Sequence, residues 1–504
     1  MRLSSNLKAT SHKPYLSKSR FMSGMQCELR LWNEVFDRDL MREPDAAIQY
    51  RFDMGTEVGE VARNRYPKGR LIGHDPEHFR EAIEETQELL EDSSIPTLFE
   101  PAFQFKRVRC RVDVLQRLGD GGWRIVEVKS STKPKREHVE DLALQIWVLR
   151  GCKIDVRDAC VLTLDRDYVR GESLDVRKLF KEHPLWQEVQ EFVEPVGTYV
   201  DFMKRILTYP EPPDVAMGDH CNDPYACPFI DHCSGKLPAL DHPISEFWNF
   251  SLKQQLLDRG IEEIRDVPKD YRLSEVNTQI RKSVIANRDR WRNRNDLVER
   301  ISSLSAPIRH LDFETINPAI PQFEGTRPYQ PIPFMFSVHT ETKNGSLEHT
   351  DYLHEEFTDP RRAVAEQLIE QLGKAGSITM YTPYEKTQIE NLAIEFSDLE
   401  SPLLGIRDRL VDIAPFVRHH YYHPEFRGSF SLKSVFPVMG KSDYSDLDID
   451  DGTLASIAYL YAMETESEDE RERIFHNLRE YCKRDTSATY KILESLRRRV
   501  DLEP

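Results

Sequence analysis

Along residues 107–135 apolar and charged side chains alternate with the period of two that marks β-strands. Val108, Cys110, Val112 and Val114 interleave with Arg107, Arg109, Arg111 and Asp113. Beyond Gly119, Asp120, Gly121 and Gly122, Val126 and Val128 alternate with Ile125, Glu127 and Lys129. The glycine-rich turn supplies positive φ angles, so the stretch predicts a hairpin whose polar side gathers Asp113, Glu127 and Lys129 at one sheet end. Elsewhere the period is helical. One helix is expected to start near Ser17 and Ser19, which can cap it, and to carry Met25, Cys27, Leu29 and Trp32. A second covers about 48–66, with Ile48, Phe52, Gly55, Gly59 and Ala62 on one face, the glycines permitting close backbone approach. A third covers about 137–150, with Val139, Leu142, Ala143 and Ile146 inward. Around 308–315, Leu311 and Phe313 face one way and Asp312 and Glu314 the other. Phe334, Phe336 and Val338 mark another strand, and 377–381 a buried one leading into a helix at Tyr384 and Glu385. Near the end, Tyr481 and Asp485 lie one helical turn apart on a shared face.

A length of 504 residues suggests about three domains with ample cores. No apolar run approaches the length of a membrane span, and residues 1–20 are basic without a signal-peptide core, so a cytoplasmic protein without membrane attachment is expected. A net charge of −17 does not mark a nucleic-acid binder, but it leaves room for local cationic patches such as Arg107, Arg109, Arg111, Lys129, Lys133, Lys135 and Arg136, or Arg288, Arg290, Arg292 and Arg294.

Two carboxylates beside a lysine suit metal-dependent phosphodiester hydrolysis. Hard oxygen ligands hold Mg²⁺ or Mn²⁺, and a lysine orients water or stabilises charge on the phosphate. Asp113 with Glu127-Val128-Lys129 resembles the PD-(D/E)XK nucleases of the RecB-like branch. The resemblance implies Asp113 and Glu127 as metal ligands, Lys129 as the catalytic lysine and Gln145 near the active centre. In the position following the second helix's glycine, where that family commonly carries a metal-binding histidine, this chain has Gly59; Glu57 and Glu60 are the substitutes at hand.

Cys221, Cys227 and Cys233 fall within thirteen residues interrupted by Pro224 and Pro228, a cluster that points to a metal site in a reducing compartment. A fourth ligand must come from elsewhere: Cys27 is one candidate, and His220 or His232 are others if the metal is zinc. One distant cysteine and a late trio resemble the iron–sulfur staple of certain RecB-like nucleases, implying a [4Fe–4S] cluster on Cys27, Cys221, Cys227 and Cys233. Cys110, Cys152, Cys160 and Cys482 are expected to be ordinary thiols. The stretch 252–267, with Gly260 between apolar flanks, resembles a helix-hairpin-helix element.

Asp312 and Glu314 on a strand, with Tyr481 and Asp485 on a late helix, resemble the tyrosine subclass of DnaQ-like exonucleases, with an RNase H-like fold. That resemblance implies two metals held by Asp312, Glu314, Glu385 and Asp485, with Tyr481 positioning the water; Glu385 stands where an aspartate is usual, and Asp412 is a further candidate carboxylate. The chain as a whole resembles a bacterial family that fuses the two modules. The expectation is an α/β multidomain protein: a RecB-type restriction-endonuclease-like domain (1–238), a helical connector (239–304) and an RNase H-like domain (305–504). It would be a Mg²⁺- or Mn²⁺-dependent nuclease, exonuclease rather than endonuclease, acting on DNA in repair or defence against foreign DNA. The alternative is a nucleic-acid-binding iron–sulfur scaffold with one or both centres inactive.

Overall fold

The computed structural model describes residues 14–236, 239–342 and 345–500. The basic residues 1–13 lie outside it. It is a mixed α/β molecule that divides into two compact units, Met1–Pro238 with Pro318–Tyr329, and Ala239–Asn317 with Gln330–Pro504. Among the described residues no helix is long and apolar enough to cross a membrane.

The first unit opens with β1 (Leu16–Ser17), α1 (Lys18–Gln26) and α2 (Glu28–Phe36). Ser17 caps α1 by accepting from the Arg20 amide at 3.2 Å. The single helix expected here is two, because Cys27 is extended (φ −162°) and breaks the run. There follow α3 (Ala46–Arg63), β2 (Arg70–Leu71), α4 (Phe79–Glu91), β3 (Thr97–Phe99), β4 (Ala102–Phe105), β5 (Val108–Arg111), β6 (Val114–Arg117) and β7 (Trp123–Lys129). The unit closes with α5 (Arg136–Gly151), β8 (Val156–Leu164), α6 (Val176–Leu179), β9 (Phe180–Pro184), α7 (Trp186–Ile206) and α8 (Ile230–Ser234). A six-stranded sheet runs β2-β3-β6-β7-β8-β9, and a small one β1-β5-β4.

The expected hairpin is β6–β7, in register Val114 with Val126 and Arg117 with Trp123. Its first strand is shorter than the alternation implied. The run 108–114 switches sheets at Val112 and Asp113, where Val112 N–H donates to the Pro101 carbonyl (3.2 Å) and Glu100 N–H to the Asp113 carbonyl (3.3 Å). Both faces of the larger sheet are covered. Leu115, Ile125 and Val161 pack with Leu142, Ile146, Val189 and Val193 of α5 and α7. Val114, Val126 and Leu162 pack with Val58 and Ala62 of α3 and with Ala319 and Ile320. Gly55 and Gly59 are not close-approach sites: a Cβ on either would meet no atom within 4 Å.

The second unit carries α9 (Phe250–Leu257), α10 (Glu275–Ala286), β10 (Arg290–Trp291), α11 (Arg294–Ser302), β11 (Ile308–Ile316), β12 (Ile332–Glu341), β13 (Leu347–Leu353), α12 (Arg361–Leu372) and β14 (Ile378–Met380). It continues through α13 (Tyr384–Glu395), α14 (Glu400–Arg407), β15 (Leu410–Asp412), α15 (Ala414–His420), β16 (Tyr421–Tyr422), α16 (Leu432–Met439), α17 (Gly452–Glu464) and α18 (Glu468–Arg499). Its main sheet runs β13-β12-β11-β14-β15, with β11 antiparallel to β12 and parallel to β14. Leu311, Phe313 and Val338 pack with Val364, Leu368, Ile389 and Leu403 from α12, α13 and α14 on one face. The alternate residues of β11 look toward α18 on the other, where Cys482 reaches Asp312. The stretch 239–304 belongs to this unit rather than standing apart, and β10 pairs with β16. After α9 and Gly260 (φ +71°) only a single 3-10 turn, Ile264–Asp266, follows, so the two limbs of a helix-hairpin-helix are not formed there.

Candidate carboxylate centres and a four-cysteine pocket

In the first unit β7 is a central strand, so the face carrying Glu127 is roofed by α5 and the carboxylate is only 1% exposed. Asp113, at the sheet switch, accepts the Val128 amide at 2.7 Å through Oδ2. Lys129 Nζ donates to Glu127 Oε1 (2.6 Å) and Asp141 Oδ2 (3.0 Å). Gln145 Nε2 donates to Glu127 Oε2 (2.7 Å) and Asp141 Oδ1 (2.9 Å). The four residues expected of this centre are therefore brought together, and Asp141, one turn before Gln145 on α5, joins them.

A second lysine enters from α1. Lys18 Nζ stands 3.0 Å from Glu127 Oε1 and 3.4 Å from Asp141 Oδ1. Burial opposes its charge, but Asp141 and Glu127 outweigh it and hold the ammonium well above the usual lysine range. Burial likewise opposes the Glu127 charge, yet Lys129 and Lys18 keep it ionised well below the usual range. Asp113 is pushed the other way, to about 7, by burial and by Glu127.

Glu57 and Glu60 are exposed on α3. Instead Glu100 lines a cleft of about 790 Å³ together with Asp113 and Lys18, its carboxyl raised by burial. Lys18 and Glu100 carried no motif signal: one sits in a serine-rich helix start, the other before a proline. Only the tertiary fold brings them to Asp113.

All four predicted cysteines line one small pocket, with Arg30, His220 and Phe229 among its walls. Gln26 Nε2 fastens the end of α1 to this loop through the carbonyls of His220 (2.6 Å) and Tyr225 (2.7 Å). Burial raises the Cys227 and Cys233 thiols, a cost that thiolate–metal bonding would offset. A tetrahedral zinc with Zn–S bonds of about 2.3 Å would draw its sulfurs to about 3.8 Å from one another. Among the described residues the one trio of potential ligand atoms within 4.8 Å of each other is Asp312, Glu314 and Cys482. No three of the four cysteine sulfurs therefore lie within 4.8 Å of one another. Cys110, Cys152 and Cys160 lie outside the pocket.

In the second unit Asp312 and Glu314 leave β11 toward α18, where Asp485 and Tyr481 face them. Burial first, then Asp485, Glu385 and Glu314, raise Asp312 well above the carboxylate range. Glu314 is raised well above it by burial and Asp485. Glu385, at the start of α13, is pushed up to about 8 by burial, and its Oε2 is buried without a hydrogen-bond partner. Asp485 is raised to about 6 by burial and accepts the Tyr444 hydroxyl. The expected Asp312, Glu314, Glu385, Tyr481 and Asp485 therefore form one cluster.

Asp412 stands near enough to Glu385 for its charge to raise that carboxyl. Its Oδ1 accepts the Thr382 (3.1 Å) and Ala414 (2.9 Å) amides and closes the turn into α15. Sequence reasoning passed over Tyr444, Lys433 and Cys482. Lys433 lies 5.5 Å and 5.6 Å from the Tyr444 and Tyr481 rings. Cys482 is no detached thiol, because its Sγ is 3.6 Å from Asp312 Oδ2. Its position between Tyr481 and Asp485 on a helix whose inner face is this site was the available signal.

Residues 309–431 match the model of a domain of unknown function, DUF2779. That span includes Asp312, Glu314 and Glu385 and stops short of Asp485. No curated protein matches the chain. A solved structure titled "Crystal structure of SSO0001" aligns at 12% identity over 45% of this chain and 89% of its own, with a TM-score of 0.22, a likeness that carries no argument.

Proposed function

We propose that the chain is a metal-dependent nuclease with two carboxylate centres, acting on DNA and stapled by a thiolate-bound iron–sulfur cluster. One observation carries the reading. In each unit acidic side chains remote in sequence are buried side by side, and in the second unit burial and mutual repulsion push their carboxyls upward. A divalent cation relieves that repulsion, lowers the pKa of bound water and polarises a phosphate.

In the first, RecB-like centre Asp113 and Glu127 would be the ligands, with Lys129 orienting the attacking water and Gln145 fixing Glu127. In the second, RNase H-like centre Asp312, Glu314, Glu385 and Asp485 would be the ligands, and the Tyr481 hydroxyl would position the water. Cys27, Cys221, Cys227 and Cys233 would hold the cluster in an architectural role, closing a loop of almost two hundred residues. A role in repair or in defence against foreign DNA belongs to the same reading.

The test is cleavage of end-labelled single- and double-stranded DNA and RNA by anaerobically purified protein with Mg²⁺ or Mn²⁺. Wild type is compared with Lys129→Ala, Asp312→Ala and the double variant. Cleavage that one single variant loses assigns the chemistry to that unit. Folded, cluster-loaded wild type that cleaves nothing overturns the proposal.

A further inference from the structure

The first centre holds one more cation than the proposed chemistry uses. Lys129 alone reaches both Glu127 and Asp141, yet Lys18 Nζ lies on the same two carboxylates, 3.0 Å from the same Glu127 oxygen that Lys129 occupies. Glu127 is 1% exposed, whereas the Lys18 side chain is 26% exposed and lines the open cleft that leads to Asp113. Arg20, Arg109 and Arg111 line that cleft too, and the Arg109 guanidinium stacks 3.7 Å from the Tyr15 ring centroid. Both oxygens of Glu127 already have donors, Oε1 the two ammonium groups and Oε2 the Gln145 amide. A divalent cation on this carboxylate would repel both lysines, and the one that can withdraw is the one with room beside it.

Lys129 is the less free to do so. It follows Glu127 by two residues on β7, and although its side chain is also 26% exposed, Lys18 and not Lys129 is among the residues lining the cleft. Lys18 reaches in from another element on a flexible four-carbon stem, and the space beside it is the cleft itself. We infer that Lys18 is a substrate-binding residue of this centre: a built-in counter-ion for Glu127 and Asp141 that gives way to the divalent cation and takes a phosphate of the nucleic-acid strand in the cleft. The inference rests on the nuclease reading of this unit and adds a residue to it.

Charge permits the exchange. Four carboxyls, Glu100, Asp113, Glu127 and Asp141, surround two ammonium groups, so a divalent ion can replace Lys18 without leaving an excess of positive charge. The released ammonium then meets the charge of one phosphate. Helix α1 holds the lysine in reach throughout, because Ser17 caps its start and Gln26 ties its end to the cysteine loop.

The test uses the full-length, cluster-loaded protein and three variants: Lys18→Ala, Lys18→Arg and Lys129→Ala. The second centre is silenced throughout by Asp312→Ala. Thermal unfolding checks that each variant folds. Mn²⁺ binding without nucleic acid is followed by electron paramagnetic resonance, and binding of a fluorescent single-stranded oligodeoxynucleotide by anisotropy in Ca²⁺ across a salt series.

Lys18→Ala is expected to bind Mn²⁺ more tightly, since its competitor is gone, and to bind the strand more weakly, with a salt slope smaller by about 0.7. Lys18→Arg is expected to keep the slope. A folded Lys18→Ala with weaker Mn²⁺ binding, or with an unchanged salt slope, overturns the inference and leaves the nuclease reading standing. A reduced slope and tighter Mn²⁺ binding in a protein that cleaves no substrate would support the role of Lys18 in binding and overturn the nuclease reading alone.

Discussion

Gln145 shows how much a single uncharged side chain carries here. It gives one amide to two carboxylates, Glu127 and Asp141, while Lys18 and Lys129 bracket the same pair. Gln145→Leu removes both hydrogen bonds and leaves Glu127 Oε2 buried without its donor. The expected outcome is a loss of cleavage of roughly 10- to 100-fold and a loss of stability of about 1–3 kcal/mol, read by single-turnover rates and denaturant unfolding. At the other centre Glu385 shares the pH response with Asp312 and Glu314, both held well above the carboxylate range by burial and by neighbouring acids. The Glu385 carboxyl stands at about 8 against an ordinary 4.5, and Asp113 at about 7 against 3.8. The folded protein therefore keeps protons that the unfolded chain has already released. The contribution of these carboxyls to stability is full below about pH 4 and falls as pH rises toward 8. Unfolding in EDTA across that window should show the decline. Mg²⁺ should reduce it, and Glu385→Gln should remove its own share of it; a pH dependence unchanged by Glu385→Gln in EDTA would contradict the assignment.

At the scale of elements, α1 joins two sites: Lys18 at its first turn stands in the carboxylate centre, and Cys27 at its end lines the cysteine pocket. From the other side Tyr225 of the cysteine loop donates to Glu137 Oε1 (3.1 Å) at the start of α5, the helix that bears Asp141 and Gln145. If the proposed iron–sulfur cluster is held there, Cys27→Ser is expected to remove its absorbance, speed amide exchange in α1 and lower stability by up to about 5 kcal/mol, the scale of an equally long cross-linked loop. Exchange in α1 unchanged from wild type would sever that link. The elements that placed these residues were legible to different degrees. Strict alternation exposed Asp312 and Glu314 on β11, and 3.6-residue spacing exposed Tyr481 and Asp485 on α18. The break at Cys27 was hidden because helical spacing continues unbroken through it into Leu29 and Trp32. The sheet switch at Asp113 was hidden because the in–out alternation persists from Val108 to Val114 while the hydrogen-bond partners change. Lys18, Glu100 and Tyr444 could not be read at all, since only long-range packing gives them neighbours.

For the whole molecule the consequence is two units that each bury their own apolar core and their own acidic cluster. Division of the chain by sequence put 239–304 apart and left 318–329 in the last domain. Both divisions followed sequence continuity, whereas Ala319 and Ile320 pack under α3 and β10 pairs with β16. Two separate cores should respond independently to substitution. Asp312→Asn removes one of the mutually repelling buried acids, so without metal it is expected to stabilise the second unit while abolishing Mn²⁺ binding there. Asp113→Asn is expected to act on the first unit alone. Their effects on unfolding should add to within about 0.5 kcal/mol, and each should remove its own class of bound Mn²⁺ in an equilibrium titration. A single substitution that emptied both classes would mean that the two acidic clusters belong to one coupled centre, and the assignment of separate chemistry to each unit would fail.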